Sequence, residues 1–405
     1  MENYTTLIFI VAIGCCFLDL LTDRWQAMQR QLFPLVTLVL YTLCMIAYYY
    51  GPDIHSYVPY YEDICHPSQL IAHPAAAKPF EFGYAMFCSL LHEIGLSYWW
   101  MTVVIKTIYF AALWFLLHRL PKRQIFALAC IVMTDMNLIM HETRQCLAVS
   151  FFIFMVLLLQ HRKYLWAAVC AALTITMHKS GFLPVSLTFL GIFFYQTRQY
   201  ATIYILFILG LMALIALPVQ RLSSAVVQLL PISGSYMESL SHHMGVGLQF
   251  QTIAIIYLAL LVVFNLYLSY DHRLRYSWIA FMVLAGMGII VLLYPYYFLL
   301  MRIRSYFAPF IIYYLVVLLS DSQRSQQVPY SSMIKQALML LVIVYFSHVA
   351  ISQERGARLL HSPVYRASTV FELRHASSGQ IRNRQMKIAI DYWKNDYMQH
   401  VKGKL

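Results

Sequence analysis

Four polar constellations break an otherwise apolar chain, and their residue types point to anion and sugar chemistry. His141-Glu142-Thr143-Arg144-Gln145 separates two apolar runs without a Gly or Pro. An arginine at such a corner presents a planar fork of N–H donors that fits a phosphate or carboxylate, with Glu142 beside it as partner or acid–base group. Thr176-Met177-His178-Lys179-Ser180 has the same character, because imidazole, ammonium and hydroxyl together can hold a phosphate oxygen or move a proton. Arg302-Ile303-Arg304-Ser305-Tyr306-Phe307 follows Tyr294-Pro295-Tyr296-Tyr297. Two arginines two residues apart cannot share a helix face, so one is expected inside a bundle and the other in water, beside a helix that Pro295 kinks. The fourth constellation runs from Gly51 to Tyr84, where Asp53, His55, Glu62, Asp63, His66, His73 and Glu81 alternate with Tyr57, Tyr60, Tyr61 and Tyr84. Aromatic faces stack on sugar rings while carboxylates take their hydroxyls. The histidine spacings match no metal-ligand motif, so neither a metal nor another cofactor is expected. Each site also has a plainer reading: a helical-hairpin corner with Glu142 pairing Arg144, a helix cap at Ser180, an interfacial tyrosine belt, and a surface loop.

The elements that must position these residues are membrane helices. Of 405 residues 61% are hydrophobic and 11% charged, with a mean hydropathy of +0.64. Soluble domains carry about 25% charged residues, so a water-soluble enzyme, a disordered chain and a disulfide scaffold are all excluded. Apolar runs long enough to span give about twelve helices. They lie at 4–21, 31–50, 98–117, 124–139, 145–160, 164–177, 180–196, 201–219, 251–270, 276–297, 303–319 and 337–351. The start Met1-Glu2-Asn3 lacks a positive n-region, so the first run is expected to be a retained helix. The fold class is therefore an all-α polytopic membrane bundle over 1–351, followed by a basic tail over 352–405. Segment 81–93 is too short and too polar at its ends to span, and reads as an outer-face re-entrant or interfacial helix.

The net charge of +12 would suggest nucleic acid in a soluble protein, but most cations sit in short gaps between spans. Arg24, Arg30, Arg119, Lys122, Arg123, Arg162, Lys163, Arg198, Arg273, Arg275, Arg324 and Lys335 alternate onto one face, against Lys78, Arg144, Lys179, Arg221, Arg302 and Arg304 on the other. The richer face is expected to be cytoplasmic, which puts the four constellations outside. An even span count puts the tail outside too, although it carries ten further Lys and Arg. No gap on the cytoplasmic face exceeds about 16 residues, so a nucleotide-sugar or ATPase domain has nowhere to sit. Six of the eight cysteines, all but Cys65 and Cys88, lie in apolar runs and make no framework.

With these residues assembled, the chain resembles the EpsG-type, Wzy-like polysaccharide polymerases of bacterial inner membranes. The matching pieces are Gly51-Pro52-Asp53 with Tyr57 and Tyr60, Glu81-Phe82-Gly83-Tyr84, Arg144-Gln145-Cys146-Leu147-Ala148, His178-Lys179-Ser180, and Arg302 with Tyr306-Phe307. They cover roughly residues 41–320; the tail after 352 has no counterpart in the pattern. The resemblance implies a multi-pass inner-membrane polymerase for O-antigen, capsule or exopolysaccharide. It would join oligosaccharide repeat units carried on undecaprenyl diphosphate at the outer face, with membrane lipid and a chain-length regulator as partners. Such a reaction develops charge on the leaving diphosphate, so fixed cations should supply the largest catalytic contribution. Arg144, Arg302 and His178 are the first candidates, Lys179 and Arg304 the next. Asp53 and Glu81, with Glu142 in reserve, are the candidate bases. Tyr57, Tyr60, Tyr84 and Tyr306 are the expected sugar contacts. A lipid-phosphate-sugar glycosyltransferase, an O-antigen ligase and a flippase using Lys106, Asp135 and Arg144 are the competing readings.

Overall fold

The computed structural model describes residues 4–21, 26–196, 278–292, 297–320, 368–374, 376–392 and 394. The expected spans 201–219, 251–270 and 337–351, and the loop 220–250, lie outside the described residues. The chain divides into two compact units, Met1–Lys179 with Ile311–His400, and Ser180–Phe310 with Val401–Leu405.

In chain order the elements are α1 (Tyr4–Leu21), α2 (Gln26–Ile46), β1 (Ala47–Tyr48), α3 (Ile54–Glu62), α4 (Pro67–Ala72), α5 (Phe82–Glu93) and α6 (Tyr98–Leu117). There follow α7 (Gln124–Thr134), α8 (Met136–Met140), α9 (Thr143–Gln160), α10 (Tyr164–Met177), α11 (Phe182–Gln196), α12 (Trp278–Leu292), α13 (Tyr297–Ser320), β2 (Ser368–Thr369) and α14 (Ser378–Asp391). Among the described residues, Met28–Ile46, Tyr98–Leu117, Thr143–Gln160 and Leu300–Val317 are long and apolar enough to cross a membrane, and Thr6–Leu21, Gln124–Thr134, Tyr164–Met177, Lys179–Phe193 and Trp278–Val291 are shorter apolar helices. Outward-facing Ile10, Phe17, Leu35, Leu38, Phe115, Leu165 and Trp166 are exposed, a surface that lipid rather than water must cover.

In the first unit α9 is buried on nearly every face, from Cys146 and Leu147 to Met155 and Val156, as an all-round apolar helix requires. It packs against α6 and α10, and α1 against α7. Two polar side chains inside serve the end of α2. Lys106 on α6 donates to the Cys44 carbonyl at 2.7 Å and Trp99 to that of Met45 at 3.2 Å. Both are among the last carbonyls of α2, which have no partner inside their own helix, and a cation there also complements the helix dipole. Lys106 is thereby committed to capping, which weakens its part in a transport path. The run expected as one helix over 124–139 is broken instead at Asp135, a buried carboxylate that accepts a hydrogen bond from Tyr109 on α6 at 3.0 Å. No Gly or Pro marks the break, and the partner is 26 residues away.

At the opposite end of α6 a buried knot joins α1, α2 and α7. Asp19 accepts from Arg123 Nη1 at 3.0 Å and from the Phe126 amide at 3.1 Å; its carbonyl accepts from Arg123 and Gln29, each at 2.9 Å. Arg123 begins α7 in a left-handed conformation, φ 63°, and Asp19 is fully buried. Asp19→Ala leaves this guanidinium buried without its carboxylate, so it is expected to cost about 3–5 kcal/mol. Thermal unfolding in detergent would show it as a large fall in midpoint, which Arg123→Ala shares and an exposed control such as Lys122→Ala does not.

The polar segment after α2 is not an open loop. It holds α3, whose buried Ile54, Tyr57, Val58 and Tyr61 form one stripe at helical spacing, and α4, which leads to α5. Segment 81–93 is the twelve-residue helix α5. The C-terminal segment belongs to the first unit: β2 pairs antiparallel with β1, Ala47 opposite Thr369 and Tyr48 opposite Ser368, and α14 packs on α3. In the second unit α11 packs on α12, with Thr188 Oγ1 3.2 Å from the Met282 sulfur, and α13 carries the two arginines.

Candidate active site

The site of the first unit forms where the chain leaves α2 and turns into α3. Gly51 has φ +87°, and a Cβ there would lie 2.6 Å from the Cβ of His141, so only glycine admits both the turn and the imidazole. The chain then starts α3 at Asp53, whose side chain makes no cap hydrogen bond and lies 3.5 Å from His141 Nδ1. Burial pushes the His141 imidazole toward its neutral form, but contact with the Asp53 carboxylate and the nearby Glu142 charge outweigh it, raising its pKa above the usual value.

One turn beyond Asp53 and His141 along their own segments sits the arginine with its partner Tyr57. Arg144, at the start of α9, donates from Nη1 to Glu81 Oε2 at 2.7 Å and from Nε to the Tyr57 hydroxyl at 2.9 Å. Its Cζ lies 4.5 Å from the ring centroid of Phe80 and 5.6 Å from that of Tyr57. Phe80 stacks on Tyr57 at 5.1 Å and meets Tyr60 and Tyr84 edge-on at 4.4 and 5.8 Å. The guanidinium is thus fixed by a carboxylate, a phenol and an aromatic face. Its Nη2 makes no hydrogen bond among the described residues, and the side chain keeps 18% exposure.

Glu81 precedes α5 in extended backbone and uses both oxygens, the second accepting from the Lys179 amide at 3.3 Å. That contact depends on α5 lying directly against α10: a Cβ on Gly83 would fall 2.6 Å from Thr176 Oγ1. Tyr84, one residue on, is buried and shares a hydrogen bond of 3.0 Å with Thr143 Oγ1. Glu81-Phe82-Gly83-Tyr84 is therefore one device that joins α5, α9 and α10 behind Arg144.

The candidates fall into three groups. Tyr57, Glu81, Tyr84 and Arg144 are brought into direct contact, with Tyr60 joined through Phe80, and Asp53 and Glu142 border them. His178 ends α10, buried, its amide bonded to the Thr174 carbonyl at 3.3 Å, while the Lys179 ammonium is exposed. Arg302, Arg304 and Tyr306 lie on α13 in the second unit. There Arg304 is 2% exposed and Arg302 part-exposed, as their spacing requires, and the Tyr306 hydroxyl is 3.3 Å from Ser180 Oγ. The rings of Tyr57 and Tyr84 are buried and their hydroxyls taken. Phe80 lies just outside the Glu81 motif, and only its stacking shows its part. His141 belongs to the Arg144 constellation, but its use depends on Asp53, 88 positions earlier in the chain. No cluster of three or more metal-ligating side chains occurs among the described residues.

A family model described as EpsG family matches residues 32–355. The chain belongs to the EpsG family. No curated protein and no solved structure matches it. EpsG membership, with the apolar helices, makes this a multi-pass membrane protein and points to polysaccharide biosynthesis and a polymerase-type function. The EpsG match contains every candidate residue from Asp53 to Tyr306, and it ends before β2 and α14.

Proposed function

We propose that this chain is a glycosyltransferase that polymerises undecaprenyl-diphosphate-linked oligosaccharide units at the outer face of the bacterial inner membrane. The observation that supports it most is Arg144, a guanidinium held at Nε and Nη1, whose Nη2 makes no hydrogen bond among the described residues. A cation fixed in this way suits a diphosphate whose charge grows as the reaction proceeds, since it need not reorganise.

In this reading the bond between the anomeric carbon of the growing chain and its diphosphate oxygen breaks, and the electron pair leaves with the lipid diphosphate. The acceptor hydroxyl of the fresh lipid-linked unit forms the new bond to that carbon, and its proton passes to Asp53. Asp53 takes the base role with the His141 imidazole orienting it, while Glu81 serves Arg144 and the Lys179 amide. Glu81 and Tyr57 orient Arg144, and the exposed Lys179 ammonium offers a second cation. Tyr60, the part-exposed tyrosine of the group, is the one left to stack on a sugar. Within the second unit Arg302, Arg304 and Tyr306 stand as anion- and sugar-binding candidates. A purified sample given lipid-diphosphate-linked repeat units, without nucleotide sugar or ATP, is expected to lengthen them and release lipid diphosphate; a flippase would only move them between leaflets.

A further inference from the structure

The C-terminal segment lies beyond the family match, yet it is built onto α3, the helix whose Tyr57 accepts from the candidate arginine. Three independent contacts tie it there. β2 adds to β1 immediately before Gly51. The Tyr48 hydroxyl and Ser378 Oγ share a hydrogen bond. Arg382 grips Glu62, the last residue of α3, through two parallel bonds, Nε to Oε1 at 2.7 Å and Nη2 to Oε2. The sequence of α14 is written for this docking. Ser377 and Gln380 form a reciprocal capping box that starts the helix, and Ile381, Gln385 and Ala389 recur every fourth residue as its buried stripe. Arg384 pairs with Glu372 and so ties the short helical turn Val370–Arg374 to α14. An exposed ion pair alone contributes little, but a bidentate one added to a strand pair and an apolar stripe defines a single seat.

We propose that Ser368–Asp391 is a strap that clamps α3 at both ends, and that Arg382 is a positioning residue acting through Glu62 on Tyr57 and Asp53. Strand pairing fixes the entry to α3 and Arg382 its exit, so the helix cannot slide relative to Arg144. The effect on turnover rests on the polymerase reading; the clamp itself does not. The basic composition of the tail has a use in this scheme, since Arg382 anchors it to acidic Glu62 and Arg384 braces it internally on Glu372.

Two measurements on the full-length protein in lipid nanodiscs decide the matter. Arg382→Glu is expected to speed hydrogen exchange of the α3 amides about tenfold, with α9 and α10 unaffected, and Glu62→Arg in the same chain to restore protection. With lipid-linked repeat units as substrate, the single variant is expected to lower kcat roughly tenfold, within the range that small misplacements cause, with KM unchanged, and the charge swap to recover it. Arg382→Gln, which adds no repulsion, serves if the reversal fails to fold and should show the same pattern more weakly. Unaltered α3 exchange in both variants would overturn the strap whatever the activity. A wild-type protein that fails to polymerise would count against the polymerase reading alone, because the exchange result stands without it.

Discussion

Arg144→Lys is expected to lower the rate of chain lengthening by about 10²–10³-fold while leaving the protein folded. Lysine keeps the charge but lacks the fork, so it can bond to Glu81 or Tyr57 and has no second nitrogen for the diphosphate. In the native chain Nη1 and Nε take those two partners at 2.7 and 2.9 Å, which leaves Nη2 for substrate. The loss should appear in kcat, since the interaction strengthens as charge develops on the leaving group. Complementation of a polymerase-deficient strain, read as polymer length on a gel, gives the first check, and steady-state rates on purified protein the second. Equal polymer from Arg144→Lys and wild type would remove the arginine from the chemistry.

Asp53→Asn is the second large effect. Asparagine keeps the shape but cannot take a proton, so a fall of about 10²–10⁴-fold is expected. The same substitution changes the histidine beside it. The His141 pKa lies above the ordinary value of about 6.5, through its contacts with Asp53 and Glu142 and against the effect of burial. A folded-state value higher than the unfolded one means that the charge contact stabilises the protein fully below the unfolded value and is lost as pH rises through the folded value. Thermal midpoints of the wild type should therefore decline across that interval, and Asp53→Asn should flatten the decline. Glu81→Gln should leave it in place, since Glu81 pairs with Arg144 rather than His141. A decline identical in Asp53→Asn and wild type would sink the pairing.

What the sequence made legible was whatever depended on local pattern. α1 and α10 run over the residues that hydropathy marks, and α9 starts two residues earlier than expected. The corner at Arg144 and the short α5 also follow from apolar runs and their interruptions. Hidden features were those set by partners far along the chain. Asp135 ends α7 because Tyr109 holds it. Arg144 meets Glu81 across 63 positions. Helix α3 is masked by Pro52 and Pro59, although Ile54, Tyr57, Val58 and Tyr61 already have helical spacing. The tyrosines were read as sugar platforms because ring composition was visible and burial was not; Tyr57 and Tyr84 are packed, and their hydroxyls position Arg144 and Thr143. The tail showed only its charge, and its anchors are a strand and the Glu62 carboxylate, 320 positions from Arg382, that no local pattern connects to it.

The central claim is that Arg144 stabilises a departing lipid diphosphate during transfer between lipid-linked glycans. The most direct test supplies purified protein with synthetic lipid-diphosphate-linked repeat units and counts the lipid diphosphate released for each new glycosidic bond. One released per bond formed, with both lost together in Arg144→Lys, is the predicted result. Lengthening that persists in Arg144→Lys, or transfer of intact units between leaflets without any new bond, would contradict it.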